Sequence, residues 1–164
     1  MIWQSAPQAI ALLGAALIDA SMFWLMWRRR AVPGGQKFLW LLLAMFCWSL
    51  SSALEWSVAD LAWKVIWRNI AYLSITAIPA VSLLFCLEYT GQGIPYRRLY
   101  RWLLLEPLVV QVMVWTNPYH HLHYTTLEML RYQDLSVIVA RYGAAFWVHA
   151  AYSYVVSVQS PTES

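Results

Sequence analysis

The sequence predicts an all-α integral membrane protein with five transmembrane helices. Of its 164 residues, 61% are hydrophobic and only 12% are charged, whereas about a quarter of the residues in soluble domains are charged. The apolar residues fall into five separate runs, each close to the ~20 residues that a helix needs to cross a ~30 Å hydrocarbon layer. The basic residues between these runs are distributed unequally, and this inequality predicts the orientation.

Each predicted span is bounded by polar or helix-breaking residues. The five spans are residues 8–27, 38–58, 69–89, 99–115 and 142–158. The connection 28–37 reads RRRAVPGGQK and the connection 90–98 reads TGQGIPYRR, and the glycines and prolines in both end helices. The connection 59–68 is short and the connection 116–141 is long. Residues 1–158 are therefore expected to form one membrane domain, and residues 159–164 a polar cytoplasmic tail.

Lysines and arginines near the ends of spans are retained on the cytoplasmic side. Seven lie on one predicted face and four on the other: Arg28, Arg29, Arg30, Lys37, Arg97, Arg98 and Arg101 against Lys64, Arg68, Arg131 and Arg141. The sequence therefore predicts an N-terminus outside the cell and a C-terminus inside it. The net charge of +3 is explained by basic turns facing anionic lipid, and no basic stripe indicates nucleic-acid binding.

The long connection between the fourth and fifth spans is predicted to contain a β-hairpin. The segments YTTLEML and LSVIVARY are rich in β-branched residues and flank the polar RYQD, which is typical of two paired strands. A short interfacial segment is the alternative. Either element would cover the outer mouth of the helix bundle.

Ionisable residues inside a span are costly, at ~2.5–3.5 kcal/mol for a central charge, and each is a functional hypothesis. Five are present: Asp19, Glu55, Glu88, Glu106 and His149. Asp19 and Glu106 lie near the midplane and are expected to be protonated hydrogen-bond donors between helices. The alternative is that one of them senses protonation or holds a polar ligand. Glu88 is expected to reach the cytoplasmic arginines.

Glu55 lies on one helix face with Ser51, Ser52 and Trp48, at spacings of four, three and seven residues. This polar stripe is expected either to line a pocket or to form a hydrogen-bond network between helices. Trp48 lies halfway along its span and is expected to pack between helices.

The histidines are candidate cofactor ligands. His149 is expected to hydrogen-bond to a neighbouring helix, and axial ligation of a pigment or haem is the alternative. His120, His121 and His123 follow the fourth span, and they bind zinc or copper only if the loop makes them converge. We expect no cofactor.

No pattern in the chain indicates catalysis. It has no zinc-binding histidine pair on a helix, no nucleophile elbow and no phosphate-binding glycine loop, so we do not expect an enzyme. Cys47 and Cys86 both lie inside predicted helices, where free cysteine behaves as a small hydrophobic residue.

Two elements resemble a known family. TNPYHHLHY (116–124), followed by YGAAFWVHAAYSYV (142–155), is similar to the N-terminal seven-helix membrane region of bacterial sensor histidine kinases. That family has a TN-x-x-H-x-L-x-aromatic element after helix four and an aromatic-rich helix five with a histidine. EW in the second span, and IP and LEYTG in the third, agree in order.

The resemblance implies a sensory module of the bacterial inner membrane, usually joined through two more helices to cytoplasmic PAS, kinase or cyclase modules. It also implies a shared outer cluster at the matching positions: Asn117, His120, Trp147, His149 and Tyr152. The sequence ends at SVQSPTES after helix five, so we expect neither helices six and seven nor kinase activity.

Two functional hypotheses follow. The first is a sensory module with an outer pocket formed by Glu55, His120 and His149, which acts through a partner protein. The second is an accessory subunit of a respiratory, photosynthetic or transport complex, in which the aromatic residues contact pigments or lipids. On either hypothesis we expect contact with membrane lipids and with a partner membrane protein or a second copy of the chain.

Overall fold

The chain folds into antiparallel helices with a β-hairpin at one end. The computed structural model describes residues 2–91, 97–132 and 135–158. Within this part the elements are α1 (Pro7–Trp27), α2 (Gly35–Ser57), α3 (Leu61–Tyr89), α4 (Arg97–Trp115), α5 (Asn117–His120), β1 (Tyr124–Tyr132), β2 (Leu135–Tyr142) and α6 (Ala144–Val158). The tail 159–164, and most of the turn predicted at 90–98, lie outside the described residues.

The first two helices are joined by a tight turn. Gly34 has a φ of +75°, which is accessible to glycine without a steric penalty, and α2 begins directly after it rather than at the predicted residue 38. A Cβ atom at Gly34 would lie 3.1 Å from the ring of Phe85, so this turn packs closely on α3. Between α1 and α2, the Ser49 hydroxyl donates a hydrogen bond to a carboxyl oxygen of Asp19 at 3.4 Å, so in this contact Asp19 is the acceptor and not the donor expected from the sequence.

The third helix is longer than predicted. The connection 59–68 was expected to be a loop, but this prediction is wrong because α3 begins at Leu61. The reason is a helix cap: the Asp60 side chain accepts a hydrogen bond from the backbone N–H of Ala62 at 2.9 Å. The helix has 29 residues and a length of about 44 Å. The helix is therefore longer than a ~30 Å hydrocarbon layer requires, and its first two turns carry Lys64 and Arg68.

Helices α3, α4 and α6 pack on one another. Away from the hairpin they enclose an apolar cluster formed by Ala80, Leu83, Leu84, Leu87, Leu103 and Val156, with Tyr152 packed against it. Nearer the hairpin a second cluster contains Tyr72, Val110, Val114 and Tyr124. The polar groups that join these helices lie near these two apolar layers.

The connection between α4 and α6 forms the predicted β-hairpin and not an interfacial helix. Strands β1 and β2 are antiparallel, with Tyr132 opposite Leu135 and an irregularity between Tyr124 and Thr126. Because β2 continues through Tyr142, α6 begins at Ala144 and not at the predicted residue 142.

The N-terminal segment holds the hairpin against the bundle. The Gln4 side-chain amide donates to the Trp56 carbonyl at 2.8 Å and to the Ser136 carbonyl at 3.0 Å, and its oxygen accepts from the Ser136 N–H at 2.9 Å. Trp3 forms an isolated β-bridge with Val58. We call this end of the bundle, with the hairpin, the N-terminal segment and residues 58–60, the hairpin end. The turn 28–34 lies at the opposite end.

Within the described part of the chain, three helices are long and apolar enough to cross a membrane: Pro7–Trp27, Gly35–Ser57 and Leu61–Tyr89. The apolar part of α4, Leu105–Trp115, and the described part of α6, Ala144–Val158, are shorter. The structure thus agrees with a mostly helical membrane protein, and the predicted count of five spans is taken up under the proposed function.

Candidate functional site

The turn that connects α4 to the hairpin is organised by the buried side chain of Asn117. Its Oδ1 accepts hydrogen bonds from the backbone N–H groups of His123 at 3.0 Å and Tyr124 at 2.9 Å. Its Nδ2 donates to the Tyr124 carbonyl at 3.0 Å. One amide therefore satisfies three backbone groups that would otherwise be buried without partners, and it fixes the start of β1.

His123 is fully buried in an aromatic cage at this turn. Its ring meets Tyr72 at a centroid distance of 4.8 Å, Tyr124 at 4.7 Å and Phe146 at 5.9 Å, each edge to face. Neither imidazole nitrogen has a hydrogen-bond partner among the described residues. Burial, reinforced by the nearby His149 and His120, lowers the pKa of His123 to about 4. The ring is therefore neutral at physiological pH.

The same turn is joined to the start of α6 through the backbone. The Leu122 carbonyl accepts from the Ala145 N–H at 3.0 Å, and the His123 carbonyl accepts from the Gly143 N–H at 2.8 Å. A Cβ atom at Gly143 would lie only 2.2 Å from the Leu122 carbonyl oxygen. Only glycine therefore allows the turn and the first residues of α6 to approach this closely.

Inside the bundle, an acid on α4 pairs with a histidine on α6. The distance between His149 Nδ1 and Glu106 Oε1 is 2.6 Å, which is the interhelical hydrogen bond expected for His149. One turn further along α6, the Tyr152 hydroxyl donates to the Leu103 carbonyl on α4 at 3.3 Å. Glu106 Oε2 and the Ser153 hydroxyl are buried without partners among the described residues. This interface thus keeps unused hydrogen-bonding capacity.

A second polar group joins α2 to α3 at the hairpin end. Arg68 donates from Nη2 and Nε to Glu55 Oε1, at 2.6 and 3.1 Å, and the Lys64 ammonium donates to the Glu55 backbone carbonyl at 2.8 Å. Both charged side chains of the pair are mostly buried, so the two charges compensate each other. Glu55 is therefore bound to α3 rather than to any of the histidines. At the other end, Glu88 lies 3.8 Å from Lys37, and its expected contact with the arginines of α4 falls on side chains outside the described part of the chain.

The remaining predicted site residues are more dispersed. His120 hydrogen-bonds within its own turn, with Nε2 3.1 Å from the Thr116 hydroxyl and Nδ1 accepting from the Leu122 N–H at 3.0 Å. Trp147 is 64% exposed. Trp48 is 40% exposed, so it lies on the surface of the bundle and the prediction that it packs between helices is wrong. The structure joins His149 to Glu106, and Asn117 to His123, but it does not join Glu55 to either pair.

The three loop histidines point into different surroundings. His121 is exposed with a φ of +53°, His120 lies in its own turn, and His123 is enclosed. Across residues 2–91, 97–132 and 135–158, no group of three His, Cys, Asp or Glu side chains is placed to hold a metal ion.

Comparison with known proteins decides the family. The protein-family model described as the N-terminal 7TM region of histidine kinase matches residues 11–161 of the chain. The chain belongs to this family. The match confirms the resemblance indicated by the TN-x-x-H-x-L and helix-five elements. The family is a membrane sensory input region. Together with the three long apolar helices of the described part, membership indicates a multi-pass membrane protein. No curated protein and no solved structure shows significant similarity.

Sequence reasoning missed four contributors to the site of this 7TM region: His123 as a buried residue, Arg68, Tyr72 and Tyr124. Arg68 was taken for a loop residue because the cap at Asp60 went unrecognised. Asp60 directly before the apolar residues that begin α3 is the signal that could have placed Arg68 on a helix face. Nothing in the spacing of three adjacent histidines distinguishes the buried one from the exposed ones.

Proposed function

We propose that the chain is a non-catalytic sensory input module in which a stimulus at the hairpin end changes the packing of α3, α4 and α6, and that a partner protein reads this change at the opposite end. Membership of the histidine kinase 7TM family supports the sensory role. The observation that carries the proposal is the position of His123 and Tyr124, which connect the hairpin to two helices at once.

The coupling rests on close contacts. Tyr124 is the first residue of β1, and its ring lies 5.8 Å from that of Tyr72 on α3. His123 meets Tyr72 on one side and Phe146 on α6 on the other. A movement of β1 therefore acts directly on both helices, because a close-packed interior transmits displacement instead of absorbing it.

One face of α6 continues the path away from the hairpin. Phe146, His149, Tyr152 and Val156 follow one another at spacings of three and four residues, so they share a helix face. Phe146 touches His123, His149 holds Glu106, and Tyr152 reaches α4 beside the apolar cluster that contains Val156. We propose that a shift of this face relative to α4 carries the signal.

The stimulus is proposed to act on groups at the hairpin end and along this path. Five of the residues identified from the sequence fit that role: Glu55, Asn117, His120, His149 and Tyr152. Trp48 and Trp147 lie on exposed faces, and we propose that they contact lipid or the partner protein, as amphipathic rings do near headgroups.

We propose five spans, with the hairpin end outside the cell and the opposite end in the cytoplasm of a bacterium. The N-terminal segment, residues 58–60 and the hairpin share one end, while Arg28, Arg29, Arg30 and Lys37 share the other. This arrangement supports the proposed orientation, because positive charge is retained inside.

Cysteines introduced at Arg29 and Glu128, in a variant lacking Cys47 and Cys86, test this orientation. An impermeant thiol reagent added to whole cells should label only Glu128→Cys. Labelling of both positions from the same side would refute the orientation.

The coupling is tested by a distance measurement. Spin labels at Tyr89→Cys and Val158→Cys, in the same cysteine-free background, report on α3 and α6 at the end opposite the hairpin, where both side chains are exposed. Replacing Asn117 by alanine loosens the turn, and we expect the interspin distance to shift or broaden. Glu128→Ala, on the exposed side of β1, is the control and should leave the distance unchanged. If amide exchange shows a loosened hairpin in Asn117→Ala while the distance distribution stays the same, the coupling is refuted.

Partner-mediated action is tested by purification in mild detergent. A sensory module should copurify with a signalling protein or with a second copy of itself. Stoichiometric recovery with the subunits of a respiratory, photosynthetic or transport complex would instead support the accessory-subunit hypothesis.

A further inference from the structure

At the end opposite the hairpin, α1 and α2 leave a groove of about 470 Å³ between them. Its floor is apolar, with Phe23 from α1 and Leu39 and Leu43 from α2. Trp27 and Trp40 flank it, and both indoles are about half exposed or more. The residues contributed by α2 follow one helix face at spacings of three and four, so they form one wall of the groove.

The mouth of the groove is positively charged. Arg30 lines it, and its guanidinium lies 4.6 Å from the centre of the Trp27 ring, a cation–π contact that holds the charge over the opening. Arg28 and Arg29 adjoin it in the same turn, and Gln36 adds an amide. The sequence has no Asp or Glu between Asp19 and Glu55, so no acid in this helix pair neutralises these arginines.

The turn that carries the arginines is held in place. Gly35 donates to the Val32 carbonyl at 2.9 Å, and Arg29 donates to the Met26 carbonyl at 2.9 Å. Gly34 packs against Phe85, whose ring also lies 5.4 Å from that of Phe38. A site on such a turn needs little ordering when a ligand binds, which lowers the entropic cost of binding.

We propose that this groove binds one anionic phospholipid, with the phosphate at Arg30 and Gln36 and an acyl chain along Phe23, Leu39 and Leu43. The order of the lining residues matches the lipid from headgroup to chain: cation and amide at the mouth, indoles beside it, and aliphatic side chains below. A soluble phosphate would use the mouth but not the floor. A partner peptide would need acidic side chains as well as an apolar anchor, whereas a single anionic lipid supplies both the charge that complements Arg30 and the chain that fits the apolar floor.

The experiment uses the full chain in detergent and counts retained lipids by native mass spectrometry. Phosphatidylglycerol and phosphatidylcholine with identical acyl chains are titrated separately. We expect one phosphatidylglycerol to be retained in preference to phosphatidylcholine. Arg30→Gln should weaken this retention by about fivefold, the factor for one basic residue at a membrane surface. Arg131→Gln in the hairpin removes the same charge at the other end and should change nothing.

A second variant separates a built site from diffuse attraction. Leu43→Trp fills the floor without altering charge and should reduce phosphatidylglycerol retention, whereas diffuse attraction would be unaffected. A phosphatidylglycerol with a photoreactive acyl chain should crosslink to residues 23–43, and inorganic phosphate should not displace it. Any one of four results would overturn the proposal. These are equal losses of phosphatidylglycerol retention in Arg30→Gln and Arg131→Gln, unchanged retention in Leu43→Trp, displacement of the lipid by phosphate alone, and a dimer that protects residues 23–43 from crosslinking.

Discussion

Glu106 and His149 join α4 to α6 through a contact of 2.6 Å between Oε1 and Nδ1. Replacing His149 by phenylalanine leaves the mostly buried Glu106 carboxyl with neither oxygen paired to a described residue. We expect the free energy of unfolding to fall by about 1–2 kcal/mol, the range for a lost polar contact between membrane helices. Unfolding in mixed detergent micelles, followed by circular dichroism, measures the loss.

A double variant provides the control for this pair. Glu106→Leu combined with His149→Phe removes both polar groups, so it should be more stable than either single variant, because no unpaired group remains buried. Strictly additive losses would mean that the two side chains do not interact.

Gly143 is predicted to tolerate no side chain. Gly143→Ala would place a Cβ atom 2.2 Å from the Leu122 carbonyl oxygen, and backbone must move to relieve the overlap. We expect a loss of about 1–3 kcal/mol and a lower melting temperature. The matched control is Gly14→Ala in α1, where nothing lies within 4 Å, and where alanine should stabilise the helix by about 0.5–1 kcal/mol. Equal effects at the two positions would contradict the close approach.

Asn117 is predicted to protect two backbone amides from solvent exchange. In Asn117→Ala, the N–H groups of His123 and Tyr124 lose their acceptor, so their deuterium uptake should be faster by about tenfold or more. Thr125→Ala removes an exposed side-chain bond to the Arg141 carbonyl and should leave these amides protected. Unchanged uptake at residues 123 and 124 in the asparagine variant would show that other contacts hold the turn.

The hairpin is predicted to lose stability in acid through His123. The pKa of the buried imidazole is about 4, against about 6.5 in an opened, hydrated hairpin. Between pH values of about 4 and about 6.5, the opened form therefore binds more protons than the folded form. The stabilisation is complete above about pH 6.5 and declines as the pH falls towards 4, by about 3 kcal/mol in total. Amide exchange of β1 and β2 measures this: once each rate is divided by the intrinsic exchange rate at the same pH, the protection factors should fall accordingly across this range.

Substitution of His123 isolates its contribution. His123→Phe keeps an aromatic ring in the cage and should flatten the pH profile between 6.5 and 4. His121→Gln removes an exposed histidine two residues away and should leave the profile as it is. An identical acid sensitivity in the wild type and His123→Phe would assign the effect to another group.

Much of the architecture was predictable from local sequence. Long apolar runs predicted α1, α2 and α3 because a helix is the structure that satisfies its own backbone in hydrocarbon. The β-branched segments around RYQD predicted the hairpin almost to the residue. The start of α3 was not predicted, because capping by Asp60 is a single-residue effect that a window of hydropathy does not detect.

The arrangement of the site depended on contacts between distant residues. His149 and Glu106 are 43 positions apart, and periodicity gives no information on which acid faces which histidine. Burial of His123 beside the exposed His121 is a consequence of the Asn117 turn. Trp48 was expected inside the bundle because it is halfway along its span, yet the direction in which a helical residue faces depends on neighbours that sequence alone does not specify.

The clamp made by Gln4 bears on how the chain matures. Its amide joins Trp56 and Ser136, the second of which lies 132 positions away. In the orientation proposed above, Gln4 crosses the membrane long before Ser136 leaves the ribosome. The hairpin end therefore closes late in synthesis, and we expect the N-terminal segment to stay accessible to quality-control proteases until the hairpin arrives.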